Sequence, residues 1–405
     1  MLCEISLVIH YSTMHQEQVK ENDCTASLEV CNEITRVHID ANQTNHSVAL
    51  DYISKNIPFI LTGDVCITRG GSRWPIFDLW LQDEPNEGTG YLNVDYICQK
   101  YGDETVPVAR CGREEYGAHP KTEMTFREYL NYLTSFNNSS HTDCLYLKDY
   151  HFMRSHPDVE LYETPACFSS DWLNEYCCDK GIDDYRFVYM GPKGSWTPFH
   201  ADVLRSYSWS ANVCGKKRWI LYPSGGEDKL KDKLGNLPFD VSTEQYASVA
   251  HHLYKQRMEV VQEAGEAIFI PSGWHHQVHN LEVTLSVNHN WFNRNNVPKC
   301  WQYLQETLSC VQRQIDDCRD MHDWHGHCQV LLRAYLGFNY GDFLKIIIHI
   351  AKKRILTNED ANYDVQPILA ILQSVCKDEI ALQVSQVEVN DCLAHLYKHL
   401  PDNKK

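Results

Sequence analysis

Chemistry in this chain starts at His200-Ala201-Asp202. In extended backbone, residues i and i+2 face the same way, so an imidazole and a carboxylate can grip one ion while Ala201 points away. Alone the pattern is weak. With 21 histidines and 54 acidic residues in 405 positions, chance supplies about three such matches. The chain has five, at His15, His38, His141, His156 and His200. Only His200 sits between two strand-like runs. A third ligand is offered by IFIPSGWHHQVH, which carries His275, His276 and His279. Two histidines and one carboxylate on one face of an octahedron leave positions open, the arrangement suited to non-haem Fe(II) and oxygen chemistry.

Short β-rich runs position these groups. They cover 144–147, 187–190, 206–213, 218–222, 259–262, 267–270 and 283–287, punctuated by glycines from Gly191 to Gly273. Many short strands without intervening helices predict a double-sheet sandwich or barrel. Ahead of them, Phe126, Tyr129, Leu130 and Leu133 predict a helix over 125–133 with Thr125 near its start. The first ~45 residues are polar and weakly periodic, as in a loosely held lead-in. After the strands the texture turns helical. Trp301, Leu304, Leu308, Val311 and Ile315 form one helical stripe, and 343–350 (FLKIIIHI) is apolar nearly all round. The stripe and the run suit either a homodimer formed through C-terminal helices or packing on the β-domain. The expected divisions are 1–50 (lead-in), 51–292 (catalytic domain) and 293–405 (helical region).

Composition excludes several classes. Lys+Arg 37 against Asp+Glu 54 leaves a net charge of −17, which argues against a general nucleic-acid binder. Mean hydropathy is −0.45, and no run approaches the ~18 apolar residues of a membrane span. The 17 cysteines include no C-x-x-C pair, so zinc ribbons are disfavoured. An odd, scattered set without a secretion-like start indicates a reducing compartment, cytoplasmic or nuclear.

Several motifs occur in order: NIPFILTGDV, SRWPIFDLW, CLYLKDYHF, GSWTPFHADV, GKKRWILYP and GEAIFIPSGWHHQVHNLEVTLSVNHNW. Together they resemble the JmjC family of 2-oxoglutarate oxygenases over roughly 57–291. The resemblance implies a double-stranded β-helix, a jelly-roll or cupin-like fold, with helical flanks. It implies Fe(II) held by His200, Asp202 and His276, with His275 part of the wall. 2-Oxoglutarate and O2 are the implied cosubstrates. The family's G-x-K-R pattern selects Lys217 rather than Lys216 for the distal carboxylate of 2-oxoglutarate. Strand alternation then places Trp219 and Leu221 on the Lys217 face. The hydroxyls of Thr197 and Tyr146 align with residues that hold the same carboxylate. Asn288 and Asn290 share a strand face and are expected to touch the cosubstrate or its neighbours, and Ser210 stands where relatives often carry Asn.

Chromatin demethylases of the family usually pair H-x-E with zinc-binding reader modules, so H-x-D without C-x-x-C favours protein hydroxylation. The resemblance implies lysyl hydroxylation, with the stop-codon-decoding release factor as protein substrate. The alternatives are N-methyl-lysine demethylation and a catalytically silent scaffold.

Overall fold

The computed structural model describes residues 33–40, 46–86, 90–136, 143–244, 246, 257–357 and 361–399. Most of the lead-in, and the H-x-D/E matches at His15 and His141, lie outside the described residues.

Fifteen strands are described: β1 Thr35–Ile39, β2 Phe59–Gly63, β3 Leu81–Asn86, β4 Gly90–Leu92, β5 Thr105–Arg110, β6 Lys121–Thr125, β7 Leu145–Tyr150, β8 Arg186–Gly191, β9 Trp196–Ala201, β10 Tyr207–Cys214, β11 Lys217–Tyr222, β12 Met258–Gln262, β13 Ala267–Ile270, β14 His275–Asn280 and β15 Thr284–Trp291. Nine of them form one sheet in the order β1-β2-β13-β10-β15-β8-β7-β5-β6. Facing it is a four-stranded sheet, β12-β11-β14-β9. The two sheets make the expected double-stranded β-helix.

Alternation in the large sheet explains both of its faces. On β10, Tyr207, Trp209, Ala211 and Val213 join the main apolar core, as do Leu285, Val287 and Trp291 on β15. Helices α1 His46–Ser54, α2 Pro75–Trp80, α3 Val94–Tyr101 and α4 Phe126–Ser135 supply much of the rest of that core through Ile53, Trp80, Ile97 and Tyr129. The intervening positions, Ser208, Ser210 and Asn212 on β10 and Thr284, Ser286 and Asn288 on β15, face the other sheet. Side chains in a strand point alternately to opposite faces, so one face of this sheet is greasy and the other polar. One end of the space between the sheets is closed by Ile60, Trp219, Leu221, Ile268 and Ile270. The polar remainder is free to bind.

Helix α4 begins as predicted. The Glu128 amide donates to Thr125 Oγ1 at 3.2 Å and the Thr125 amide to Glu128 Oε2 at 2.8 Å, a reciprocal cap that satisfies two orphan donors. Three expectations need correction. Strand β1 pairs in parallel with β2 and α1 packs Ala49 and Ile53 into the core, so the folded domain reaches into the 1–50 segment. The β-rich stretch is not free of helices, because α5 Phe152–Ser155 and α6 Trp172–Lys180 interrupt it. Strand β9 was not among the expected runs. Pro198 and the nearby Gly194 obscure it, although it carries the first ligand.

Beyond β15 come α7 Val297–Gln314, α8 Trp324–Leu336, α9 Tyr340–Thr357, α10 Ala361–Val375 and α11 Glu379–His399. Trp301, Leu304, Leu308 and Val311 of α7 and Phe343, Leu344, Ile347 and Ile350 of α9 meet in a second core with α10 and α11. Trp172 and Leu173 of α6 join it. The apolar stripe of α7 and the apolar run of α9 thus pack against other helices of the same chain.

Candidate metal centre and cosubstrate pocket

His200 on β9 and His276 on β14 are direct cross-strand partners, with ring centroids 4.4 Å apart. His200 Nδ1 lies 2.8 Å from Pro198 O, and His276 Nδ1 lies 3.5 Å from Trp274 O. Each ring therefore spends Nδ1–H on a backbone carbonyl and keeps Nε2 for an ion. Asp202 lies one residue past β9 but stays extended, at φ −64 and ψ 156, so it remains on the His200 face. Its Oδ2 accepts from the Ser208 hydroxyl at 2.7 Å. Behind it the chain turns through two left-handed residues, Leu204 (φ 52) and Arg205 (φ 51). Such residues cost about 1–3 kcal/mol each, and the Ser272 hydroxyl, which donates to Arg205 O at 2.5 Å, helps to hold this turn.

The donor atoms of His200, Asp202 and His276 lie within 4.8 Å of one another, the one such group of three among the described residues. Burial pushes the His200 imidazole down to about 4 and lowers His276 as well. Both rings are neutral at pH 7, as metal ligation requires. The donor set fits a ferrous ion with open coordination positions.

The other two candidate histidines are turned away by strand alternation. His275 packs on Phe199 at 5.4 Å between centroids, with Nδ1 3.5 Å from Glu227 Oε1. His279 stacks on Trp196, 5.6 Å away and 6° from parallel. Both belong to the outer face of the small sheet.

Lys217 is 1 % exposed. Its Nζ donates to Ser286 Oγ at 2.6 Å, and Asn288 Nδ2 donates to the same oxygen at 3.1 Å. Burial pushes the amine down to about 7. No ion pair to Lys217 exists among the described residues, whereas Lys216 is half-buried and pairs with Glu263 at 3.3 Å. A buried cation without a counter-ion is costly and calls for an anionic ligand. Tyr146 and Thr197 are buried in strands bordering the same chamber, with the Asn280 amide beside the Tyr146 hydroxyl. The buried polar atoms Ser210 Oγ, Asn212 Oδ1, Asn280 Oδ1 and Thr284 Oγ1 have no protein partner. These residues fit a dicarboxylate cosubstrate. Asn290 is drawn instead toward Ser206, 3.5 Å from its hydroxyl, and does not join the Lys217 group.

Sequence reasoning missed Ser208, Ser286, Asn280 and Lys148. Ser286 was within reach, two residues before Asn288 on the same strand. Lys148, two after Tyr146, brings a second cation to within 5.7 Å of the Tyr189 ring, which Lys217 approaches at 5.9 Å.

Residues 46–297 match a cupin-like domain. The chain is 42 % identical to the 2-oxoglutarate and iron-dependent oxygenase JMJD4 of Danio rerio, over 88 % of this chain and 86 % of that protein. It is 48 % identical to the Homo sapiens protein of that name, over 67 % of each. The chain belongs to the JmjC family of 2-oxoglutarate- and iron-dependent oxygenases. It is also 38 % identical to the arginine-specific demethylase JMJ20 of Arabidopsis thaliana, over 72 % of this chain and 64 % of that one.

As in other JmjC oxygenases, iron and 2-oxoglutarate supply oxidative decarboxylation coupled to transfer of one oxygen atom to a substrate. The protein's own residues bind, orient and shield. His200, Asp202 and His276 would hold the metal. Lys217 would meet the distal carboxylate, with the hydroxyls of Tyr146 and Thr197 beside it. Trp219 and Leu221 would exclude water there, which strengthens a charge pairing at Lys217.

Proposed function

We propose that this oxygenase is a protein hydroxylase that adds oxygen to a carbon of a lysyl side chain, and that its substrate is the stop-codon-decoding release factor. The observation that carries the hydroxylase reading is Asp at the second ligand position, where the family's chromatin demethylases usually carry Glu. Asp202 is held by Ser208 and occupies a site that a halide would need to enter, which favours transfer of oxygen. The absence of C-x-x-C pairs leaves no zinc-type reader for chromatin. The family relationship supports the lysyl and release-factor assignments. The reducing character of the cysteine set supports a cytoplasmic location, with the nucleus as alternative.

Demethylation is the second reading, favoured by the likeness to JMJ20. Incubation with matched lysyl and N-methyl-lysyl or N-methyl-arginyl peptides separates the two. Hydroxylation gives a heavier peptide and no formaldehyde. Formaldehyde release with loss of a methyl group would overturn the proposal. A catalytically silent scaffold would give neither product and no succinate.

A further inference from the structure

Strand β5 pairs with β7 through Val108–Leu147, Ala109–Tyr146 and Arg110–Leu145. One rung further, Cys111 stands opposite Cys144, and the Cys111 amide donates to Cys144 O at 2.8 Å. Hydrogen-bonded antiparallel partners have Cα atoms about 5.5 Å apart, within the span that a disulfide bridges. Cross-strand partners also point to the same face of the sheet. Alternation makes that the face of Tyr146, two residues along from Cys144. The Cys111 thiol donates to Trp196 O at 3.5 Å, and Trp196 immediately precedes Thr197. The two thiols lie close enough to act on each other's ionisation. Cys111 is buried, while Cys144 is half-buried and reachable.

We propose that Cys111 and Cys144 form a reversible disulfide, an oxidative modification site in the wall of the cosubstrate pocket that weakens 2-oxoglutarate binding when closed. The oxidant is a low-molecular-weight disulfide such as oxidised glutathione. The Cys144 sulfur attacks one glutathione sulfur, passing its proton to Cys111, and displaces the other as glutathione thiolate, which takes up a proton. The Cys111 sulfur then attacks Cys144 Sγ and displaces the second glutathione. Two electrons pass from the protein sulfurs to the glutathione pair, and two thiol protons go with them. Cys144 holds the Cys111 thiol below its ordinary value, while Cys111 and burial push the Cys144 thiol up, so Cys111 is placed to take the Cys144 proton as Cys144 attacks.

Closing the disulfide removes the Cys111 S–H that Trp196 O accepts. The start of β9 loses an anchor next to Thr197, and β7 is tied to β5 next to Tyr146. Both pocket hydroxyls are affected.

The test equilibrates the full chain in graded ratios of reduced to oxidised glutathione. Free thiols are then alkylated, and linked peptides are read by mass spectrometry. 2-Oxoglutarate affinity is measured on the same samples with Mn(II) in place of iron. The proposal predicts a linked Cys111–Cys144 peptide and binding weaker by roughly threefold to tenfold, the worth of one hydrogen bond. Reductant should restore affinity, and Cys144→Ser should keep full affinity at every ratio. Glutathione on Cys144 without the linkage would overturn it. So would a linkage that leaves affinity unchanged, or a wild-type loss that Cys144→Ser shares.

Discussion

Each residue's role here is set by what it is denied. His276 and His275 are neighbours of the same type, yet His276 faces His200 across the ladder while His275 packs on Phe199. Sequence alone could not separate them, because alternation places adjacent histidines on opposite faces of β14 without saying which face is the inner one. The likeness to the family made that choice. The family's G-x-K-R pattern likewise chose Lys217 over Lys216, and the fold buries Lys217 while Lys216 pairs with Glu263 at the surface. Replacing His200 or Asp202 with Ala should abolish iron binding and turnover with little change in thermal stability. A His200→Ala protein with unchanged iron affinity would remove it from the metal site. Lys217→Ala should leave a buried carboxylate unpaired at a cost of about 3–5 kcal/mol, weakening 2-oxoglutarate binding about a hundredfold or more. Lys216→Ala should be nearly silent in the same titration. The Lys217 amine also sets a pH dependence. Its pKa in the fold is about 7, below the ordinary 10.5. Stability therefore falls as pH drops from the ordinary lysine range through 7, where the buried amine takes on charge. Cosubstrate binding has the opposite sign, because the dianion wants the charged amine. Affinity should be flat below pH 7 and weaken above it by up to ~tenfold per unit, read by titration with Mn(II) in place of iron. A pH-independent affinity from 7 to 9 would contradict the charge pairing.

At the scale of elements, the site depends on where strands end and bend. Strand β9 is short and proline-bearing, and it delivers His200 just before the left-handed turn at Leu204 and Arg205. No local pattern announces that turn, since neither residue is a glycine; only the surrounding packing holds it. Strand β7 likewise loses register between Leu147 and Tyr150, around Asp149 at φ 62, which hid the reach of Lys148 into the pocket. The helix at 126–135 was readable because its cap and apolar stripe are local signals. Gly191, at the end of β8, links element to site. A Cβ there would run into the Tyr146 ring and Ser195 Oγ. Gly191→Ala should displace Tyr146, raise the dissociation constant for 2-oxoglutarate and cost about 1–3 kcal/mol of stability. Calorimetric titration and thermal melts check both, and unchanged affinity would move Tyr146 out of the pocket.

Over the whole molecule, two cores divide the labour. One packs helices on the greasy face of the large sheet, and the other joins the C-terminal helices to α6. Helical periodicity showed that the tail had apolar faces but not what covered them, because the partners are distant in sequence. With Leu308 3 % and Ile347 0 % exposed, Leu308→Asp or Ile347→Asp should lower the melting temperature sharply or cause aggregation. A well-folded variant of halved mass by light scattering would instead make these faces a dimer interface. The polar face of the same sheet is left to do chemistry, and its product tests the account most directly. The release factor should be incubated with the iron-loaded chain, 2-oxoglutarate and isotopically labelled dioxygen, then sequenced by mass spectrometry. The account predicts one labelled oxygen on a lysyl carbon, matched by succinate and lost in Asp202→Ala. Succinate without labelled lysine, or formaldehyde in its place, would contradict it.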